Sequence, residues 1–174
     1  MELDPVDKIT AGTVGEPGQR TFFLQVRSEE RLVTITVEKE QVELLSSSIL
    51  EILATVDLET GDGPPEGELE LEAPIEPLWR AGRLSIGYSE ERDLMLLEME
   101  ELVPEPDEEQ EVADAPEPAR LRVWASREQM LALSRQGAAV AARGRPRCQF
   151  CGNPLDPEGH TCPAMNGHRS PSET

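Results

Sequence analysis

The stretch TFFLQVRSEERLVTITV, residues 21–37, carries the plainest secondary-structure pattern in the chain. Apolar side chains occupy every second position in each half of it: Phe22, Leu24, Val26, Val33, Ile35 and Val37. Alternation with period two, in β-branched and aromatic residues, predicts strands at Thr21–Ser28 and Arg31–Lys39. Only Glu29 and Glu30 separate the two strands, so we predict a tight antiparallel hairpin.

On the C-terminal side of this hairpin the apolar period changes. From Glu40 the large apolar residues recur at helical spacing: Leu45, Ile49, Ile52, Leu53 and Val56. An apolar stripe with this period predicts an amphipathic helix that ends near Asp57 and lies on the sheet. On the N-terminal side, the segment Leu3–Arg20 is rich in glycine. We predict that it forms an irregular lead-in or a short edge strand around Ile9–Val14.

The lead-in contains Gly12, Gly15 and Gly18, whose spacing superficially suggests a loop that holds a phosphate. No lysine follows these glycines and no buried strand precedes them. The dinucleotide-binding and Walker patterns therefore both fail, and we interpret the glycines as turn residues.

The remaining pattern predicts three more strands and a second helix. Trp79–Tyr88 and Leu94–Val103 form a second predicted hairpin, and Leu121–Ala125 a fifth strand. Ser126 followed by Gln129 is a capping box, which predicts a helix that runs to about Arg143. The order ββαβββα predicts an α+β fold, in which a mostly antiparallel five-stranded sheet carries two helices on one face.

We predict one acidic α+β domain at residues 1–144 and a C-terminal zinc-knuckle tail at residues 145–174. The domain contains two acidic, Pro-rich segments, 58–78 and 104–118, which we expect to be flexible loops. Within the first segment, Glu68–Glu72 could form a short edge strand because its leucines alternate with glutamates.

Charge is distributed very unevenly along the chain. Sixteen Lys and Arg against 35 Asp and Glu give a net charge of −19 for 174 residues. The first 118 residues carry −23, whereas the rest carry +4. The acidic body would repel nucleic acid and anionic membranes, so only the tail could bind a polyanion. No apolar run is long enough to cross a membrane and the N-terminus is acidic, so we predict a cytoplasmic protein without membrane contact.

All three cysteines and one of the two histidines fall within fifteen positions of the tail. Cys148 and Cys151 form a C-x2-C pair, and His160 and Cys162 follow after eight residues. Thiolates and imidazole are the tetrahedral ligands of structural zinc, so these four residues predict a closed zinc site. Three free thiols are the alternative, and His168 is a spare candidate ligand.

The cysteines are preceded by three arginines, Arg143, Arg145 and Arg147. Phe150 lies between the first two cysteines. Arginines that contact phosphates beside an aromatic ring that stacks on bases would suit nucleic-acid binding. A solubilising hinge is the other interpretation of these arginines. Zinc catalysis would need an open coordination position, which arises only if His160 is not a ligand.

Two longer motifs carry a family resemblance. Residues 12–23 read GTVGEPGQRTFF, and residues 148–167 follow the pattern CxxCGxPxDPxGHxCPxxNG. With these motifs, essentially the whole chain resembles an uncharacterised bacterial family known as a domain of unknown function. The resemblance implies no enzymatic activity, because none is established for that family.

These observations favour a non-enzymatic, zinc-stabilised binding or adaptor protein that acts on a protein partner. A nucleic-acid-associated module and a zinc-dependent enzyme with an open metal site are the two alternatives.

Overall fold

A computed structural model describes residues 1–56, 58–104, 117–144, 147–153, 155 and 159–165. Within these residues the chain forms seven strands: β1 (Glu2–Leu3), β2 (Lys8–Val14), β3 (Thr21–Ser28), β4 (Arg31–Val37), β5 (Pro77–Ser89), β6 (Leu94–Glu101) and β7 (Arg120–Ala125). Two α-helices, α1 (Lys39–Thr55) and α2 (Arg127–Ala142), follow β4 and β7. Short 3-10 turns lie at Glu66–Glu68 and Pro163–Met165.

Both predicted hairpins and both predicted helices are confirmed. β3 pairs antiparallel with β4, and β5 pairs antiparallel with β6. The β3–β4 turn uses Glu29 in the left-handed region, at φ 52°, and the Asp7 carboxylate accepts its backbone N–H at 2.6 Å. That contact helps a non-glycine residue to hold a conformation that costs energy in most side chains. Ser126 and Gln129 form the predicted capping box of α2.

The prediction of a five-stranded, mostly antiparallel sheet is wrong. The sheet has seven strands in the order β1-β7-β6-β5-β4-β3-β2, and two of its pairs, β4–β5 and β1–β7, are parallel. The β4–β5 pair is parallel because α1 lies between these strands and returns the chain in the same direction. The lead-in supplies both additional strands, and the edge-strand alternative for Ile9–Val14 is confirmed as β2.

The sheet must curve strongly. β1 and β2 lie at its opposite edges, yet only residues 4–7 connect them. Seven strands in a flat sheet would separate its edges by about 29 Å. The five peptide units between Leu3 and Lys8 span at most about 18 Å. The two edges are therefore drawn toward each other by the N-terminal segment.

One face of this sheet and both helices share a single hydrophobic core. The core includes Leu24, Ile35 and Leu97 from the sheet, Ile49 from α1 and Leu133 from α2. The two helices also pack against each other. At Gly137 of α2 a Cβ atom would lie 2.5 Å from Ser46 Oγ of α1, so only glycine fits there without a shift.

The opposite face of strands β2–β4 is covered by the loop before β5. Thr10, Gln25 and Thr34 lie in register across these strands and are almost fully buried. Thr10 Oγ1 donates to the carbonyl of Leu69, whose side chain is 2% exposed. Gln25 exchanges two hydrogen bonds with the backbone of Glu72, at 2.7 and 3.0 Å. The loop thus satisfies polar groups that the sheet face would otherwise bury unpaired.

This loop forms no strand at residues 68–72, so the predicted edge segment is wrong. Its backbone bonds instead to side chains that point out of the sheet face. The expected flexibility of residues 58–78 stays a prediction. Of the second acidic loop, residues 105–116 lie outside the described residues, as does Asp57 at the predicted end of α1. Neither described helix is long and apolar enough to cross a membrane.

Candidate metal centre

Cys148, Cys151, His160 and Cys162 come together in space. Their candidate ligand atoms all lie within 4.8 Å of one another. Cys148 and Cys162 are buried, with 4% and 0% exposure, whereas Cys151 and His160 are half-buried. The group could therefore hold a metal ion between two buried thiols and a more accessible edge.

Two distances compare well with a tetrahedral site. Cys148 Sγ and Cys162 Sγ are 3.8 Å apart, and Cys151 Sγ lies 3.2 Å from His160 Nε2. For Zn–S and Zn–N bonds of about 2.3 and 2.0 Å, tetrahedral angles separate two sulfurs by about 3.8 Å and a sulfur from a nitrogen by about 3.5 Å. The donor types and these two distances are compatible with a tetrahedral metal ion, although the widest separations, up to 4.8 Å, would have to shorten.

The first ligand pair sits on a compact turn. The Gly152 N–H donates to the Cys148 carbonyl at 2.8 Å, and the Cys148 N–H donates to the Asn153 carbonyl at 2.8 Å. Gly152 has φ 74°, a left-handed conformation that favours glycine. The turn therefore needs a glycine directly after the second cysteine, which places Cys148 and Cys151 on the same side of the backbone.

The pKa values of the two thiols of this turn are shifted in opposite directions. The pKa of Cys148 falls to about 6, chiefly because the Cys151 amide, and then the Phe150 amide, stabilises its thiolate. At Cys151 the Asn153 amide acts in the same sense. Burial and the sulfurs of Cys148 and Cys162 outweigh it and raise the pKa of Cys151. One thiolate thus forms readily, and a bound cation would favour the others because the ligating form is the anion.

His160 has one ring nitrogen toward the cluster and one without a hydrogen bond. Its Nδ1 is buried and has no hydrogen-bond partner among the described residues. A ligating histidine usually donates its second ring N–H to a carboxylate, a carbonyl or water. If Nε2 held the ion, Nδ1 would be the nitrogen that donates to such a partner.

Not every residue of the sequence prediction can be placed. His168, Arg145 and Pro154 lie outside the described residues. Arg143 and Arg147 are exposed, and so is Phe150, at 58%. The ligand candidates were all named from spacing alone. Gly152 after the second cysteine also predicted a turn whose amides approach sulfur, but which amides these are, those of Cys151 and Phe150 at Cys148, came only from the structure.

Sequence reasoning also missed the surroundings of the cluster. A cleft of about 540 Å³ opens beside the turn, and Arg147 lines it together with Arg20 and Lys39. Arg20 directly precedes β3, and Lys39 is the first residue of α1. Nothing near either residue in the chain marks it as a neighbour of the cysteines.

The described fold and cluster define a class: an α+β protein with a possible metal-binding Cys3His group near its C-terminus. The chain belongs to the family described as "Protein of unknown function (DUF3090)", whose model matches residues 1–162 and so includes all four cluster residues. The predicted resemblance to an uncharacterised family is confirmed. No curated protein matches the chain, and no solved structure does.

Proposed function

We propose that this chain is a non-enzymatic, zinc-stabilised cytoplasmic protein that binds a protein partner. Cys148, Cys151, His160 and Cys162 hold the metal. The observation that carries the proposal is the approach of four candidate ligand atoms to within 4.8 Å of one another. A site closed by four protein ligands stabilises structure, whereas catalytic zinc keeps a position open for water or substrate.

The donor set supports zinc over the other common divalent ions. Three thiolates and an imidazole suit a borderline-soft ion, while magnesium and calcium prefer oxygen. The 3.8 Å separation of the two buried sulfurs is the edge of a tetrahedron built on Zn–S bonds. Chemistry and geometry therefore point to the same metal.

A binding role agrees with the charge of the molecule. The net charge of −19 gives the body a strong negative field, which attracts basic surfaces and repels polyanions. The arginines beside the turn form a surface of the opposite sign. Two surfaces of opposite charge would allow one chain to contact different partners.

The metal is tested by mass spectrometry of protein purified without chelator. We expect about one zinc per chain in the wild type and none in Cys148→Ser with Cys151→Ser, because thiolates supply most of the binding energy. Gln149→Ser is the matched control, since it changes an exposed residue between the two ligands and should keep the metal. Metal-free, freshly reduced wild type would refute the proposal.

Cobalt substitution separates a closed site from an open one. Cobalt in a tetrahedral Cys3His site gives intense visible absorption and a thiolate charge-transfer band whose strength counts the sulfurs. His160→Ala should leave a position for water and shift the visible bands. If the wild-type spectrum already shows a water ligand, the zinc-enzyme alternative replaces the structural one.

The nucleic-acid alternative is favoured by one observation, the 58% exposure of Phe150, which closely follows the exposed Arg147 in the chain. An exposed ring next to a cation can stack on an unpaired base. Salt-dependent binding of single-stranded RNA that is lost in Arg145→Glu with Arg147→Glu would support this function.

A further inference from the structure

The cleft beside the metal-binding turn is built from four separate parts of the chain. Gly18 belongs to the β2–β3 turn, Arg20 directly precedes β3, and Phe22 lies in β3. Lys39 and Glu43 lie in the first turns of α1, and Arg147 directly precedes Cys148. The end of α2 supplies the floor with small residues. At about 540 Å³ the cleft is within the usual range of small-molecule pockets.

The cations of this cleft are exceptional for so acidic a protein. Most described Lys and Arg side chains lie within ion-pair distance of a carboxylate. Among the described residues five arginines make no ion pair: Arg20, Arg31, Arg83, Arg143 and Arg147. Two of these five line the cleft, and Arg143 lies between the lining residues Ala142 and Gly144. With 19 carboxylates in excess, unpaired arginines that gather at one place need an explanation.

The guanidinium groups in the cleft retain donors for a ligand. Arg20 donates one N–H to the Val140 carbonyl at 3.4 Å and stacks over Phe22 at 5.5 Å from the ring centre. Arg147 donates one N–H to the Gly152 carbonyl, also at 3.4 Å. Each guanidinium has five N–H donors, so most of them are not used by these bonds.

Two features of the cleft oppose an anion, and both are small. Glu43 is the one acidic residue in the lining, and it pairs with Lys39 at 3.7 Å. The last carbonyls of α2 also face this region, but Arg20 already bonds to one of them. Charge in the lining remains positive, because two arginines and a lysine outnumber the single carboxylate.

We propose that this cleft binds the phosphate group of a small phosphorylated ligand. Arg20 and Arg147 contact the phosphate oxygens, since planar guanidinium forks match phosphate geometry, and Lys39 adds charge. A small ligand is favoured over a nucleic-acid backbone because a long polyanion must also approach the acidic body. None of the four candidate metal ligands lines the cleft, so phosphate binding and metal content can be measured separately in each variant.

The test uses the full chain with its metal and inorganic phosphate as the probe. Phosphate is titrated against sodium chloride of equal ionic strength while amide and arginine resonances are followed by NMR. We expect saturable shifts at Gly18, Arg20 and Arg147. Arg20→Gln and Arg147→Gln should each weaken phosphate binding about tenfold, since each loses charge-assisted hydrogen bonds. Lys39→Gln changes a side chain that is 43% exposed and should also weaken phosphate binding, so it keeps the test valid if an arginine variant misfolds.

Two further variants distinguish a site from a general effect of charge. Arg31→Gln removes an unpaired arginine at the far hairpin and should change the affinity less than about twofold. Glu43→Gln should strengthen binding, because it removes the carboxylate from the lining. Metal content is measured for each variant, so loss of phosphate binding at full zinc occupancy leaves the proposed metal function untouched.

The proposal fails if the wild type shows no saturable shifts, or if Arg31→Gln weakens binding as much as Arg20→Gln. A twelve-residue oligothymidylate is titrated in parallel. If it binds at Arg20 and Arg147 and phosphate does not displace it, the cleft serves a polyanion and the small-ligand proposal is overturned.

Discussion

Glu72 shows how one carboxylate fastens the covering loop to the sheet. Its carboxylate oxygens accept from Arg27 at 2.7 Å and from Lys8 at 3.3 Å, and its backbone bonds to Gln25. The hydrogen bond from Arg27 is the main reason that the pKa of Glu72 is lowered. Folding therefore stabilises the charged form of this side chain.

The lowered pKa predicts how stability depends on pH. Because the folded-state pKa lies below the ordinary value of 4.5, the contribution is complete above that value and is lost as the pH falls through the folded pKa. Glu72→Gln should lower the urea midpoint of unfolding at pH 7. The midpoint of this variant should also fall less than that of the wild type when the pH is lowered below 5. Urea unfolding at pH 7, 5 and 3.5 measures this. Glu70→Gln, which removes an adjacent exposed carboxylate, is the control and should keep the wild-type decline. Parallel curves for wild type and Glu72→Gln would contradict the ion pair.

At the scale of elements, the loop before β5 acts as a layer of the fold. Its one fully buried apolar side chain is Leu69, which lines a cleft beside Ala132 of α2 while its carbonyl accepts from Thr10 of β2. Leu71 lies so close to β2 that a Cβ on Gly12 would come within 2.5 Å of Leu71 Cγ. Close packing thus requires Gly12, which lies within β2 and not in a turn as predicted, whereas Gly15 and Gly18 lie in the β2–β3 turn with φ of 109° and 91°.

Leu69→Ala should lower the free energy of unfolding by about 2–4 kcal/mol, because it leaves a cavity at a buried position. Leu58→Ala changes a leucine of the same loop that is 53% exposed, and it should cost less than about 0.5 kcal/mol. Chemical denaturation of both variants measures the difference. Equal stability of the two would mean that the loop does not pack on the sheet in solution.

The first fourteen residues form both edge strands of the sheet. β1 extends the edge at β7, where the Arg122 N–H donates to the Met1 carbonyl at 2.9 Å, and Leu3 is 3% exposed. After four residues the same segment forms the other edge as β2. One short segment thus covers two edges that would otherwise be open to pairing with other chains.

Deletion of residues 1–4 should therefore destabilise the fold and promote self-association. The loss of a buried leucine alone costs about 2–5 kcal/mol, and the exposed edge of β7 becomes available to a second chain. Thermal unfolding and sedimentation velocity test the two effects. Glu2→Gln keeps the strand and should remain close to wild type. A truncated chain that stays monomeric with an unchanged melting temperature would show that β1 does not close the sheet.

Local patterns in the sequence were sufficient for both hairpins, both helices and the four candidate ligands. The β3–β4 alternation, the stripe of α1 and the capping box at Ser126 are each contained within a few residues, because strand and helix periods are local properties. The spacing of Cys148, Cys151, His160 and Cys162 is local in the same way. The family match covers residues 1–162, a range that includes these four positions.

Only the tertiary structure showed the two edge strands, the loop that covers the sheet and the cleft beside the cysteines. β1 and β2 have little pattern of their own, and they are strands because the edges of β7 and β3 offer unpaired backbone groups. Leu69 is buried because its loop bonds to the polar side chains of the sheet face, although glutamates flank it in the sequence. Arg20, Lys39 and Arg147 line one cleft although they are far apart in the chain. Each of these features depends on contacts between residues far apart in the chain, and local periodicity carries no information about such contacts.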